Sequence, residues 1–298
     1  MIHARTGLET GVRGKRGLME RWSLIDDAPS NAAFNMAVDE FLLREAEKGM
    51  SGPVLRLYSF DPPAVTIGFH QDPSRILDMG ALSRDGIDIV RRVTGGRALL
   101  HDGELTYSLT AGTDHPSFDG GLQGTFLQIS GAVVEALREV GVDARISGGK
   151  DRRSPDGSTG SAGNAAGEAG DTGLDSPCLV STSRHEVTAR GRKIVGSAQR
   201  RSHSAFLQHG SILLEPASEK ISRYLLGDFG DLSSKMTSVK AETERPDAAK
   251  SLRDSLVRAF GRVFGAAFEQ RRFDDAELEE IGTGALAKSN EFRGGEMT

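Results

Sequence analysis

Apolar positions along the chain recur with two different periods, and the switches between them mark its elements. Phe34, Val38, Phe41 and Leu42 fall at helical spacing behind a Ser30–Asn31 pair, and Gly49 can end the helix, so "DDAPSNAAFNMAVDEFLLREAEKG" reads as amphipathic helix. "VLRLYSF" and "AVTIGF" are rich in strand formers on either side of a "DPP" turn, which predicts a hairpin. "IDIVRRVTGGRALLHDGELTYSLTA" reads as a strand, a glycine pair and a second strand. Phe126, Ile129, Val133, Leu137 and Val140 form a second helical stripe, closed by Gly141. "HEVTARGRKIVGSAQRR" predicts a hairpin turning at Arg190–Gly191, with Lys193, Val195, Ser197 and Gln199 on one face and Ile194, Gly196 and Ala198 on the other. "AFLQHGSILLE" adds a strand, while "EKISRYLLGDF" and "AAKSLRDSLVRAFGRVFGAAFE" read as helices before a charged tail. Strands and helices without strict alternation predict an α+β fold.

Two stretches show no period at all. Residues 1–21 mix glycine with charge and are expected to be a disordered lead-in, with Met19 as an alternative start. Residues 151–175 collapse into Gly, Ser, Ala and Asp, too poor in large apolar groups to offset the entropy of ordering them. This expected disordered insertion lies directly before Cys178.

Composition narrows the classes of function. The net charge of -5 is spread over both signs without a basic block, so no nucleic-acid partner is expected. No apolar run reaches the ~18 residues of a membrane span, and the first residues lack the apolar centre of a signal peptide. A cytoplasmic chain without membrane partners is the expectation. Cys178 is the only cysteine, which excludes an internal disulfide and a structural zinc site and leaves either a buried small hydrophobe or a reactive thiol.

Cys178 follows Pro177 and a polar tract, and exposure of that kind favours reactivity. A thiolate at neutral pH needs a nearby cation, and the neighbourhood offers Arg184, His185, Arg192 and Lys193. Lys193 stands out because Gly196, Ser197 and Ala198 after it let a substrate approach the backbone closely; the alternative is a solvated lysine beside a turn. Gly95–Gly96 could offer backbone N–H groups to a phosphate or carbonyl, with Arg91, Arg92 or Arg97 supplying positive charge, although most such pairs are plain turns. His101 and His209 are candidate bases, but a lone histidine is more often structural.

Three blocks together, "NMAVDEFLL", "RRVTGGRALLHDGELTYS" and "GRKIVGSAQRR…LQHGSILLE", resemble the biotin/lipoate protein ligase and transferase family from about Trp22 to Tyr224. The wording "RRVTGGRALLH", and Cys178 eight residues before Glu186, are most similar to its cysteine-dependent octanoyltransferase branch. Ser183 and Glu186 keep the outline of that branch's cysteine motif, while its aromatic residue and proline are absent here. The resemblance implies a mixed sheet flanked by helices, with an acyltransferase domain over 22–245 and a small C-terminal helical appendage over 246–298. It implies octanoyl transfer from an acyl carrier protein to the lysine of a lipoyl-domain protein such as the glycine-cleavage H protein, through a cysteine thioester. It implies no cofactor and no metal. Cys178 and Lys193 become the expected catalytic residues, and Arg91, Thr94, Gly95, Gly96, Arg97, His101, Gly196, Ser197, Ala198, His209 and Gly210 the expected substrate-binding ones. An ATP-dependent lipoate–protein ligase and a lipoyl or octanoyl amidotransferase of the same superfamily are the alternatives. The residues after Tyr224 are few for the accessory domain that such ligases usually carry.

Overall fold

A computed structural model describes residues 19–148, 185–216, 218–227 and 231–292. Strand β1 (Glu20–Asp26) leads into helix α1 (Ala32–Glu47), followed by β2 (Val54–Tyr58), β3 (Ala64–Ile67), α2 (Met79–Arg84), β4 (Asp88–Arg91), β5 (Leu99–His101) and β6 (Glu104–Gly112). Helix α3 (Gly121–Glu139) and strand β7 (Ala144–Ile146) come next, then β8 (Val187–Ala189), β9 (Arg192–Lys193), β10 (Val195–Arg201) and β11 (Ala205–Leu213). The chain closes with short α4 (Ser218–Ser222) and α5 (Val239–Glu242), then α6 (Ala248–Phe264), β12 (Ala266–Gln270) and α7 (Asp275–Asn290).

The main sheet has six strands in the order β10-β11-β6-β2-β1-β12, with parallel pairs at β1 and antiparallel pairs elsewhere. Two three-stranded sheets, β4-β3-β5 and β7-β8-β9, complete an α+β fold. Helices α3 and α6 cover one face of the main sheet, where Leu105, Tyr107, Leu109 and Ala111 meet Ile129, Val133, Leu256 and Phe260 in the main core. Each such side chain contributes about 1.5–3 kcal/mol when fully buried.

The opposite face explains where the site is. Alternation of apolar and polar residues in β6 ordinarily means one dry and one wet face. Here Thr106 and Ser108 of that second face are buried as well, because α1 lies over them. Arg56 of β2, Ser108 of β6, His209 of β11 and Ala198 of β10 share one rung of the sheet, and Tyr58, Thr106, Ser211 and Gly196 share the next but one. A covered polar face must satisfy its hydrogen bonds internally, so these residues converge on one another instead of on water.

Helix α1 forms as its stripe predicts, with the Asn31 side chain accepting the Phe34 N–H and Gly49 left-handed just beyond its end. The second stripe is α3, ending before the left-handed Gly141. The Arg190–Gly191 turn joins β8 to β9, both residues having positive φ.

Four expectations are corrected. "VLRLYSF" and "AVTIGF" do not form a hairpin: β2 pairs with β1 and β6, while β3 crosses to pair with β4 and β5. Each strand buries its side chains in a different place, Leu55 and Leu57 in the main core and Val65 and Ile67 in a second cluster with Leu77 and Leu99. The alternation from Lys193 to Gln199 is broken at Ile194, whose N–H goes to Val187 and whose carbonyl goes to Leu213, so Lys193 and Val195 belong to different sheets. The helix read through Glu269 stops at Phe264, where Gly265 takes the left-handed cap, and the next residues form β12, parallel to β1. Among the described residues of "EKISRYLLGDF" the helix is limited to the short α4.

Strand β1, within the supposed lead-in and its edge, and the short α2, β7 and α5 carried no expectation, while α7 falls in the expected helical appendage and has a legible start signal in the capping box between Asp274 and Glu277. The described residues of this C-terminal part, 246–292, contribute an edge strand and two helices, α6 packed on α3 and α7 on α1. The expected insertion at 151–175 and Cys178 lie outside the described residues. Among the described residues no helix is long and apolar enough to cross a membrane.

Candidate active site

One carboxylate gathers the polar face. Asp39, on the buried side of α1, is 1 % exposed, and both its oxygens are saturated: Oδ1 accepts from Arg56 Nη1 and Ser108 Oγ at 3.0 Å each, and Oδ2 is 2.8 Å from the Tyr58 hydroxyl and 2.9 Å from His209 Nδ1. Burial alone would raise its pKa, but the bonds from His209, Arg56 and Tyr58 outweigh it and hold the carboxyl below its ordinary value. The Tyr58 hydroxyl is pushed well above the usual phenol range by burial and by the adjacent Asp39 charge. Arg56 is wholly buried and also donates to Asp27 (2.7 Å) and to the backbone and side-chain oxygens of Asn35 (3.0 and 2.9 Å).

Around this anchor a narrow pocket is lined by Met36, Tyr58, Leu99, His101, Gly196 to Ala198 and His209 to Ser211, with Thr66, Arg92 and Thr106 beside them. Its free space is about 20 Å³, enough for about one water. Gly210 must be glycine, since a Cβ there would stand 2.5 Å from Ser197 Oγ and 2.7 Å from the Tyr107 ring. The glycine loop lies against β10: a Cβ on Gly96, which has φ +89°, would stand 3.7 Å from that of Ala198. Arg92 braces the loop by donating to the carbonyls of Gly95 (2.9 Å) and Arg97 (2.8 Å), and its other nitrogen reaches Thr66 O at 3.2 Å.

His101 Nε2 lies 2.8 Å from Thr66 Oγ1 and Nδ1 lies 3.3 Å from Glu104 Oε1, with the ring stacked on Phe60 at 3.8 Å. Burial depresses its pKa below the ordinary imidazole value of 6.5, against Glu104, while the Arg92 charge adds to the depression. The neutral ring is therefore favoured by folding. Its stabilisation is complete above 6.5, and is lost as the pH falls from there through the folded-state value, because the unfolded chain takes the proton first. Chemical denaturation at a series of pH values from neutral to mildly acid is expected to show a steeper loss of stability in the wild type than in His101→Gln; equal slopes would refute this.

The expected site residues separate into three groups. His101, Gly196, Ser197, Ala198, His209 and Gly210 line the pocket. Thr94, Gly95 and Gly96 stand behind it, Thr94 through a 2.7 Å bond from its hydroxyl to His209 Nε2. Arg91 instead holds the carbonyls of Gly68, Phe69 and Gln71 and pairs with Glu291, while the Arg97 carbonyl serves the Arg92 brace.

Lys193 is not among the pocket-lining residues; it is buried, three residues ahead of Gly196, with its side chain 1 % exposed and Nζ 2.6 Å from Glu186 Oε1. Its backbone is fixed between Lys235 O and Thr237 N. Asp39, Arg56, Tyr58 and Thr66 were not expected, whereas Arg92, expected as a positive charge at the glycine pair, braces that loop instead. Asn35 and Asp39, four residues apart between Ala33 and Leu42, are the visible signal: polar residues on the buried stripe of a helix.

A covered polar sheet face beneath one helix, with a glycine loop and a buried lysine at its edge, defines the class. The chain matches the lipoyl protein ligase A/B catalytic domain over residues 31–261 and belongs to that family. Within the family it is similar to octanoyltransferase LipM of Moorella thermoacetica, 34 % identical over 260 residues that cover 84 % of this chain and 88 % of the relative. Octanoyltransferase LipM of Kyrpidia tusciae is 34 % identical over 273 residues, 88 % of this chain and 93 % of the relative. The solved bi-partite lipoate protein ligase of Thermoplasma acidophilum shares the fold, with a TM-score of 0.69 at 22 % identity over 93 % of this chain and 96 % of that one.

Proposed function

We propose that this chain is an octanoyltransferase of lipoate biosynthesis that moves an octanoyl group from an acyl carrier protein to the lysine of a lipoyl-domain protein, the glycine-cleavage H protein being the favoured acceptor, in the cytoplasm and without ATP. The likeness to octanoyltransferases LipM over most of both chains supports the reaction. The structural observation that carries the reading is the buried Lys193 ammonium beside the strand whose Gly196 to Ala198 line the pocket, paired with Glu186. In this account the Cys178 thiolate attacks the thioester carbonyl, the bond to the carrier's sulfur breaks, and the carrier leaves as a thiolate that takes a proton from water. The acceptor's neutral lysine amine then attacks the acyl-cysteine, forming the amide, releasing the cysteine sulfur and giving up one proton. Lys193 places its positive charge where negative charge develops on the carbonyl oxygen. The octanoyl chain enters against Met36 and Leu99, apolar side chains able to swing aside and enlarge a space that now fits little more than one water.

Incubation with octanoyl-carrier protein and no nucleotide, followed by intact mass measurement, is expected to show one added octanoyl group that is absent from Cys178→Ser. Acylation that requires ATP and survives Cys178→Ser would instead identify a ligase and overturn the proposal.

A further inference from the structure

The Asp39 carboxylate, the His209 imidazole and the Thr94 hydroxyl form an unbroken buried chain from α1, across β11, to the glycine loop, with links of 2.9 and 2.7 Å. We propose that these three residues are a positioning relay in which the α1 carboxylate fixes the tautomer of the β11 imidazole and, through it, seats the glycine loop at the acyl pocket. The proposal rests on the octanoyl-transfer reading for its kinetic consequence but not for its geometry.

The polarity of the relay follows from what each atom can do. An ionised carboxylate only accepts, so His209 Nδ1 carries the proton and donates to Asp39. In the neutral ring Nε2 is then an acceptor, and the Thr94 hydroxyl donates to it. Both ring nitrogens are committed, so His209, although it lines the pocket, has none left to take a proton from a substrate. Its work is to hold Thr94. The Thr94 carbonyl also accepts the Phe69 N–H at 2.9 Å, so Thr94 ties the loop at 68–71, the glycine loop and β11 together. Two residues further on, Gly96 lies against Ala198 of the pocket wall, where a small displacement of the backbone changes the room left for a reacting carbonyl.

Four donors enter the two oxygens of Asp39, with Arg56 and Ser108 on one and Tyr58 and His209 on the other. In Asp39→Asn one of these pairs must face an amide NH₂. Because Arg56 has no acceptor to offer, the amide oxygen keeps Arg56 and Ser108 and the NH₂ turns to Tyr58 and His209. His209 Nδ1 must then accept, and the ring switches to the Nε2–H tautomer, which donates to Thr94 and displaces the hydroxyl proton that held the loop. Loss of Asp39 as a mere structural support would lower stability without choosing a tautomer.

The test reads both ends of the chain. Nitrogen-15 NMR of histidine-labelled protein is expected to show His209 with its proton on Nδ1 in the wild type and on Nε2 in Asp39→Asn. Thr94→Val, which removes only the hydroxyl, is expected to lower kcat for octanoyl transfer on the order of 10²-fold with little change in KM for the donor, and Thr94→Ser to restore it. An unchanged tautomer in Asp39→Asn overturns the relay, as does a wild-type kcat in Thr94→Val. Should Asp39→Asn fail to fold, the Thr94 pair decides by itself. A wild-type protein with no octanoyl transfer would sink the functional reading alone and leave the relay to be judged on the tautomer.

Discussion

Replacing Lys193 by methionine is expected to reduce single-turnover octanoyl transfer by about 10²–10³-fold, the scale on which one preorganised charge or donor aimed at a developing oxyanion acts. The side chain is fully buried, which an ammonium tolerates only when paired, and Glu186 provides the pair at 2.6 Å. Backbone bonds to Lys235 O and from Thr237 N fix the residue from the other side, so its position is set by a short strand and a loop rather than by its own flexible stem. Lys193→Arg is not expected to rescue, because a larger planar fork cannot replace a compact ammonium buried against Glu186. Rapid-quench transfer to a lipoyl domain followed by mass measurement checks both variants, and a methionine variant that keeps the wild-type rate would remove Lys193 from the chemistry.

Replacing Arg56 by methionine is expected to lower the unfolding free energy by about 3–5 kcal/mol, because it strands the buried Asp39 charge. Burying Arg56 and Asp39 costs several kcal/mol per ion, and the fold recovers this only through the complete set of bonds to Asp27, Asn35, Tyr58, Ser108 and His209. Adding Asp39→Leu to Arg56→Met is therefore expected to recover part of the loss, since the buried carboxylate is then gone as well and only Asp27, which reaches water, has lost its ion-pair partner. Urea unfolding of the single and double variants measures this. Purely additive losses would show that the two residues do not act as a unit.

The sequence by itself determined the elements with a strong period. The stripes of α1 and α3, the positive-φ turn at Arg190–Gly191 and the strand β11 were all legible because local chemistry and the final fold ask the same of those residues. The family was legible too, from three ordered blocks that include Lys193 and the Gly196 to Ala198 wall. Tertiary structure alone decided which strands share a sheet. The β2–β3 hairpin failed because pairing depends on which core each strand fills, and β12 was missed because a five-residue edge strand finds its partner, β1, at the other end of the chain. The site was hidden for the same reason. Nothing local tells that Asp39 of α1, Arg56 of β2, Ser108 of β6 and His209 of β11 meet, since each reads as a stray polar residue until the sheet rung aligns three of them and the helix lays the fourth across it. Periodicity reports which face of an element is apolar; only the packing of one element on another decides whether the polar face meets water or other polar groups.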